Sequence, residues 1–259
     1  MADPELLYET DGPLAFVTFN RPPSRNAMTW AMYDGLAAAC ERVDADPEIR
    51  VMILRGAGGQ SFVAGTDIGQ FRDFRTPEDA LAYERRLDSV MDRLEAVTRP
   101  TIAAIQGYAV GAGAAIAAAC DFRFCTPESR IGVPIARTLG NCLSMGNCAR
   151  LLDLLGPART KDLVYRARLA EAEEALQAGL VNEVVSAERL ADRVREVAAE
   201  LAANAPITLR VTKEAIRRLQ AGRRRIEGDD LVVQAYMSED FREGVAAFLE
   251  KRKPVFRGR

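Results

Sequence analysis

The sequence predicts an α/β domain with mostly parallel strand pairing and a helical C-terminal region. Three observations carry this. Strand-like apolar runs alternate with helix-like patterns through about residue 185, the order that sets a crossover helix between parallel strands. Beyond Ser186 the pattern becomes helical throughout. The chain has 259 residues and is 48% hydrophobic, enough for one large domain, or one with a small appendage, around a substantial core.

Each element has its own signal. Residues 14–20, LAFVTFN, are rich in β-formers and stop at Arg21-Pro22-Pro23, which reads as a strand closed by proline. Residues 26–43 carry Met28, Met32, Leu36 and Ala39 at helical spacing. The continuous apolar run VMILRGAGG, 51–59, predicts a strand buried on both faces that enters a glycine loop, after which SFVAGTDI follows. Leu87, Val90, Met91 and Leu94 mark an amphipathic helix ending before Arg99-Pro100. TIAAIQG is the next strand. It leads into YAVGAGAAIAAACDFRF, which passes from strand through a glycine turn to a small-residue helix and then to a strand at FRFC. Leu190, Val194, Val197 and Leu201 mark one helix face, and Ala205-Pro206 opens the helical tail. No internal repeat or low-complexity linker interrupts the order.

Composition excludes several kinds of function. Lys and Arg total 35 against 37 Asp and Glu, so no basic excess argues for nucleic acid and no acidic tail for a basic partner. The one dense basic run, Arg223-Arg224-Arg225, reads first as a solvated helix end and second as a phosphate patch. The chain contains no histidine. That removes Ser-His-Asp and Cys-His catalysis and histidine-ligated zinc, haem or iron, so no metal is predicted. The cysteines Cys40, Cys120, Cys125, Cys142 and Cys148 are odd in number and show no CxxC spacing. They read as free thiols in a reducing cytoplasm, each first as small buried filler. No signal peptide and no membrane-spanning apolar run is expected.

Two segments share a design: Ala64-Gly65-Thr66-Asp67 and Gly111-Ala112-Gly113 each follow a strand pattern and open onto a helix. Small residues let a backbone approach a ligand closely, and helix N-termini present unpaired N–H groups. Two such turns facing each other would give two N–H donors to one oxygen, an oxyanion hole that needs no reactive side chain. Gly111-Ala112-Gly113 is also half a phosphate-loop pattern, without its Lys-Ser/Thr ending.

SFVAGTDI followed by IQGYAVGAGAAIAAACDFRF resembles the enoyl-CoA hydratase/isomerase, or crotonase, family. FVTFNRP with RNAM, the run from Ala149 to Val185, and FREGVAAFLEKRKPVF extend that resemblance over residues 8–257. It implies a right-handed superhelix of ββα units over 1–200 holding an acyl-CoA site. A helical region, 201–259, would serve trimer or dimer-of-trimers assembly. The substrate would be an acyl-CoA thioester, with coenzyme A as part of the substrate and no prosthetic group. Thr66 and Ala112 N–H groups would bind the thioester oxygen and stabilise an enolate. The adenosine end would lie along Ala64, Gly65, Asp67 and Ile68, near Arg25, with Gly111 beside the thioester. Phe248 and Lys251 match positions that meet coenzyme A across subunits. Arg25 and Lys251 read equally well as solvated charges.

The chain departs from the family where hydratases carry two glutamates. Ala115 and Ile135 occupy those places. Hydration needs one group to activate water and another to deliver a proton, and neither a methyl group nor a branched alkyl chain does so. Thioester hydrolysis, decarboxylation or thioester binding without catalysis are therefore carried beside hydratase or isomerase chemistry. The polar groups left near the turn are Arg137, Thr138, Asn141, Cys142 and Ser144, with Arg137 as the one cation near Cys142. Acids could also enter from residues 69–84, namely Asp73, Glu78, Asp79 and Glu84, most of them expected as solvated helix charges. Asp67 is expected to cap its loop. Val110, Ile116, Val133, Ile135 and Leu139 are the candidate apolar lining.

Overall fold

The run LLYETD forms β1 (Leu6–Asp11), turns at Gly12 (φ 53°), and pairs antiparallel with β2 (Leu14–Phe19). The structure is a computed structural model that describes residues 4–72, 74–224 and 227–259. Asp73 and Arg225 lie outside the described residues, and the side chains of Arg223 and Arg224 outside the described side chains. β1 is an addition to the elements the patterns predict, and its signal is the Asp11-Gly12 hairpin dipeptide. There follow α1 (Trp30–Ala45), β3 (Val51–Gly56), β4 (Ser61–Ala64), α2 (Pro77–Glu95), β5 (Thr101–Ile105), β6 (Tyr108–Val110) and α3 (Ala112–Ala119). Next come β7 (Phe122–Cys125), β8 (Arg130–Gly132), α4 (Ile135–Thr138), α5 (Met145–Tyr165), β9 (Ala170–Glu171), α6 (Ala172–Gln177) and β10 (Glu183–Val184). The chain ends in α7 (Ala187–Ala203), α8 (Pro206–Arg224), α9 (Asp229–Tyr236) and α10 (Glu239–Leu249).

Among the described residues the strands form two sheets, β1-β2-β3-β5-β7-β10 and β4-β6-β8-β9. Apart from β1–β2 and β8–β9, every pairing is parallel. Side-chain alternation explains why the first sheet needs cover on both faces. Ala15, Val17, Phe19, Met52 and Leu54 pack into the main core with α1 and α2. Leu14, Phe16, Val51 and Ile53 point the other way, onto Leu190, Val194 and Ala198 of α7.

The helix expected over 26–43 starts later. Arg25 and Asn26 have φ of 51° and 57°, Met28 pairs with Thr66, and the Thr29 side chain accepts the Met32 N–H as the cap of α1. Residue 200 lies inside α7. The last helices fold back: Val232, Tyr236, Phe241 and Val245 belong to the main core. α8 leaves Ile207, Val211, Ile216 and Leu219 exposed. No described helix is long and apolar enough to cross a membrane.

Candidate active site

The two glycine turns meet because their strands are in register. β4 and β6 run parallel with Ala64 opposite Val110, so Gly65 and Gly111 leave the sheet side by side. Both have positive φ, 99° and 58°, where glycine carries no steric penalty. A Cβ on Gly111 would stand 3.6 Å from Gly65 Cα. Met28 N–H donates to Gly65 O and Asp67 N–H to Met28 O, each at 2.9 Å. That bridge uses the groups on either side of Thr66 and leaves the Thr66 N–H out of it. Ala112 is the first residue of α3, a position whose N–H has no acceptor within its own helix.

Neighbouring side chains fix these turns. Thr66 Oγ1 is 2.7 Å from the Tyr33 hydroxyl and 2.9 Å from that of Tyr83. Asp67 caps its loop as expected, accepting the Gly69 N–H at 3.1 Å, and pairs with Arg21 at 3.1 Å. α3 presses against β4 so closely that a Cβ on Gly113 would lie 2.0 Å from Val63 O. The far end of α3 is tied by Arg123, whose guanidinium donates to the carbonyls of Ala117 and Cys120 and to Leu180 O. A cation there complements the negative end of the helix dipole. Asp121, the one acid in this stretch, is structural: it accepts the Thr101 N–H at 2.8 Å and pairs with Lys213 at 2.7 Å.

The turns open into a cavity of about 470 Å³, within the usual size of small-molecule sites. Val110, Val133, Ile135 and Leu139 line it. Ile116 does not; it is fully buried in the core. Ala115 and Ile135 both face the cavity, so the two positions expected to lack an acid are at the site.

An acid enters from elsewhere. Glu84, expected as a solvated charge, is only 6% exposed and lines the cavity from α2. The Tyr236 hydroxyl donates to Glu84 Oε1 at 2.5 Å, and Asn141 Nδ2 donates to the Tyr236 oxygen at 3.0 Å. Burial raises the Glu84 carboxyl to about 7; the Tyr236 hydrogen bond opposes this and the Asp88 charge adds to it. The sequence does hold a signal: Glu84 precedes Leu87 by three residues and Met91 by seven, so it stands on the apolar stripe of α2. Of the other acids in that segment, Glu78 is exposed, Asp79 completes the capping box with Thr76, and Asp73 lies outside the described residues.

The remaining candidates divide. Asn141 and Cys142 line the cavity. Burial first, then the charges of Glu84 and Cys148, pushes the Cys142 thiol up to about 12, which disfavours a nucleophilic thiolate. Arg137 is exposed and faces a separate surface groove, so it is not the cation of this site. Ser144 is buried away from the site as the α5 cap: it accepts the Asn147 N–H and donates to Asp88 at 2.6 Å. Arg25, exposed and with its guanidinium 5.9 Å from the Tyr108 ring centre, lines the cavity with Ala64, Gly65, Asp67, Ile68 and Phe248. Lys251 is exposed and does not line the cavity. Cys40, Cys120 and Cys125 are buried filler, while Cys148 is half-buried. No cluster of three or more His, Cys, Asp or Glu suited to a metal occurs among the described residues.

Known proteins resemble this chain in sequence and fold along nearly all of its length. The chain is 34% identical over 251 residues to the short-chain-enoyl-CoA hydratase of Clostridium acetobutylicum, covering 96% of this chain and 95% of that one. A crystal structure of an enoyl-CoA hydratase/carnithine racemase from Magnetospirillum magneticum superposes with a TM-score of 0.81 at 35% identity, covering 98% and 96% of the two chains. A methylmalonyl-CoA decarboxylase in complex with 2-nitronate-propionyl-CoA superposes with a TM-score of 0.89 at 28% identity, over 98% and 99%. The family model described as enoyl-CoA hydratase/isomerase matches residues 9–259. With motifs, fold and full-length relatives in agreement, the chain belongs to the enoyl-CoA hydratase/isomerase (crotonase) family.

Proposed function

We propose that this protein is an enzyme acting on acyl-CoA thioesters, with the Thr66 and Ala112 N–H groups binding the thioester oxygen and stabilising an enolate. The observation that carries this is the abutment of the Gly65 and Gly111 turns, with both N–H groups left at the cavity. Preorganised donors act most strongly on charge that develops during the reaction. The adenosine end of coenzyme A would lie along residues 64–68 at the mouth, near Arg25 and Phe248. The exposed apolar residues of α8 support a homo-oligomer, trimer or dimer of trimers, through the helical region 201–259.

Plain hydration by the two family positions is disfavoured, because Ala115 and Ile135 present only hydrocarbon to the cavity. A second reading is decarboxylation of an acyl-CoA carrying a β-carboxylate. Loss of CO2 leaves the electron pair in the same enolate, so the oxyanion donors carry that step. The superposition with the decarboxylase complex supports it.

Two assays separate these readings: loss of the conjugated thioester absorbance of crotonyl-CoA, and CO2 release from methylmalonyl-CoA. Crotonyl-CoA is expected to react slowly, and Ala115→Glu with Ile135→Glu to speed it. Fast hydration by the unmodified chain would overturn the reading of those positions, and free thiol release would point to hydrolysis. Ala112→Pro keeps a residue tolerated at a first helical position while removing its N–H. It is expected to lower turnover by about 10²–10³-fold. Thioester binding without any turnover would make the protein a binding subunit instead.

A further inference from the structure

Glu84 is a buried titratable group that the two-turn wall does not use. We infer that Glu84 is the proton-transfer group of the acyl-CoA reaction, oriented by Tyr236 and Asn141 and serving the carbon next to the thioester carbonyl. This rests on the thioester reading of the cavity.

The geometry comes first. α2 carries Tyr83 and Glu84 side by side to the cavity, and the Tyr83 hydroxyl touches Thr66 Oγ1. Glu84 therefore enters from the element that contacts one of the two donor residues. Its Oε1 is held by Tyr236, which Asn141 holds in turn. Among the described residues Tyr236 is the only hydrogen-bond donor to Glu84, so the second oxygen remains available to a ligand.

Its surroundings differ from those of the chain's structural acids. A buried carboxylate is ordinarily matched by a cation. Asp121 has Lys213, Asp44 has Arg93, and Glu95 has the buried Arg150. Among the described residues no Lys or Arg pairs with Glu84. Tyr236 touches it, and the other titratable groups coupled to it electrostatically are the hydroxyls of Tyr33 and Tyr83, the thiols of Cys142 and Cys148, and Asp88 on its own helix. None is cationic. Such an environment suits a carboxyl that both takes and returns protons near neutral pH, as an acid/base group must.

The step balances without a co-reactant. The C–H bond at the α-carbon breaks and its proton passes to a Glu84 oxygen. The bonding pair forms the enolate C=C, and the carbonyl pair moves onto the oxygen facing Thr66 and Ala112. The reverse step returns a proton from Glu84 to carbon. After a decarboxylation, the same return would quench the enolate.

The test is α-deuteration of butanoyl-CoA in D2O, followed by NMR. Binding is measured separately by calorimetry and folding by circular dichroism. Wild type is expected to incorporate deuterium with a rate that rises with pH through an inflection near 7, where Glu84 ionises. Glu84→Gln keeps shape and hydrogen bonding; it should bind butanoyl-CoA as wild type does and lose exchange by about 10²-fold or more. Tyr236→Phe should move the inflection to higher pH, because the lost hydrogen bond had favoured the carboxylate. That shift decides the matter even if Glu84→Gln folds poorly. A Glu84→Gln protein that binds and exchanges at the wild-type rate overturns the inference, as does a wild type that binds without exchanging. A wild type that binds no acyl-CoA overturns the thioester reading itself.

Discussion

Ala64 and Val110 are register partners in one parallel strand pair, and the turns that follow them touch through bare backbone. In the lining of the same cavity, Glu84 meets Tyr236 from 152 residues away through a single side-chain hydrogen bond. The first wall depends on side chains being absent: a Cβ at Gly113 collides with a carbonyl, and Gly65 and Gly111 occupy backbone space that suits glycine. The second wall depends on side chains being present, in an aromatic shell where Tyr83, Phe71, Tyr236 and Phe241 meet edge-on or tilted at ring separations of 4.7–6.3 Å. Backbone donors are fixed by sheet pairing and do not titrate, whereas a buried carboxyl can change its charge. On the proposed reading, the fold separates the donors that would stabilise charge from the group that would move a proton.

Three substitutions probe that contrast, beginning with the largest effect. Gly113→Ala puts a methyl group 2.0 Å from Val63 O, a backbone atom that cannot swing away. It is expected to destabilise the protein by roughly 3 kcal/mol or more, or to prevent folding. A wild-type urea midpoint would show that the turn wall is softer than its packing indicates.

Glu84→Gln should have the opposite effect on stability. The folded carboxyl holds its proton up to about 7, whereas an ordinary glutamate, and hence the unfolded chain, releases it near 4.5. The folded state is favoured by this group below 4.5, and that advantage is lost as pH rises through 7. At pH 8 the substitution is expected to stabilise by up to about 3 kcal/mol, and to do little at pH 4. Urea unfolding at both pH values checks this, and equal effects at the two would break the contrast between the walls.

Ser144→Ala, which removes the α5 cap and the hydroxyl that donates to Asp88, should cost about 1 kcal/mol. Its thermal midpoint should fall by a few degrees, with acyl-CoA binding retained. A loss of binding would put Ser144 back among the site residues.

How much was legible follows the same division. The turn wall is written as contiguous strings, SFVAGTDI and YAVGAGAAI, whose strand, glycine and helix-start signals lie within a few residues of one another. The parallel sheet followed from VMILRG and TIAAI, runs too apolar to leave either face in water. The hairpin strand β1 was less visible because LLYETD ends in polar residues and its outer half is exposed. Glu84 was hidden by its neighbours: Glu78, Asp79, Arg85 and Arg86 make residues 78–86 look like a solvated helix face. Only the periodicity of Tyr83, Leu87 and Met91 betrays its direction, and nothing local announces Tyr236. Ser144 and Arg137 failed as site residues for a related reason. A polar residue near a turn in sequence is as readily a helix cap or a surface charge, and only packing decides between them.

The long reach between Glu84 and Tyr236 also bears on how the molecule is made. During synthesis the residues of both glycine turns have emerged soon after Gly113 and their β8 partner by Gly132, while the tyrosine that holds the acid follows Glu84 by 152 residues. At ordinary elongation rates that is a delay on the order of ten seconds. Until then the carboxylate lacks its Tyr236 hydrogen bond. A chain broken off before α9 would thus carry both glycine turns without the tyrosine that orients the proposed reactive acid.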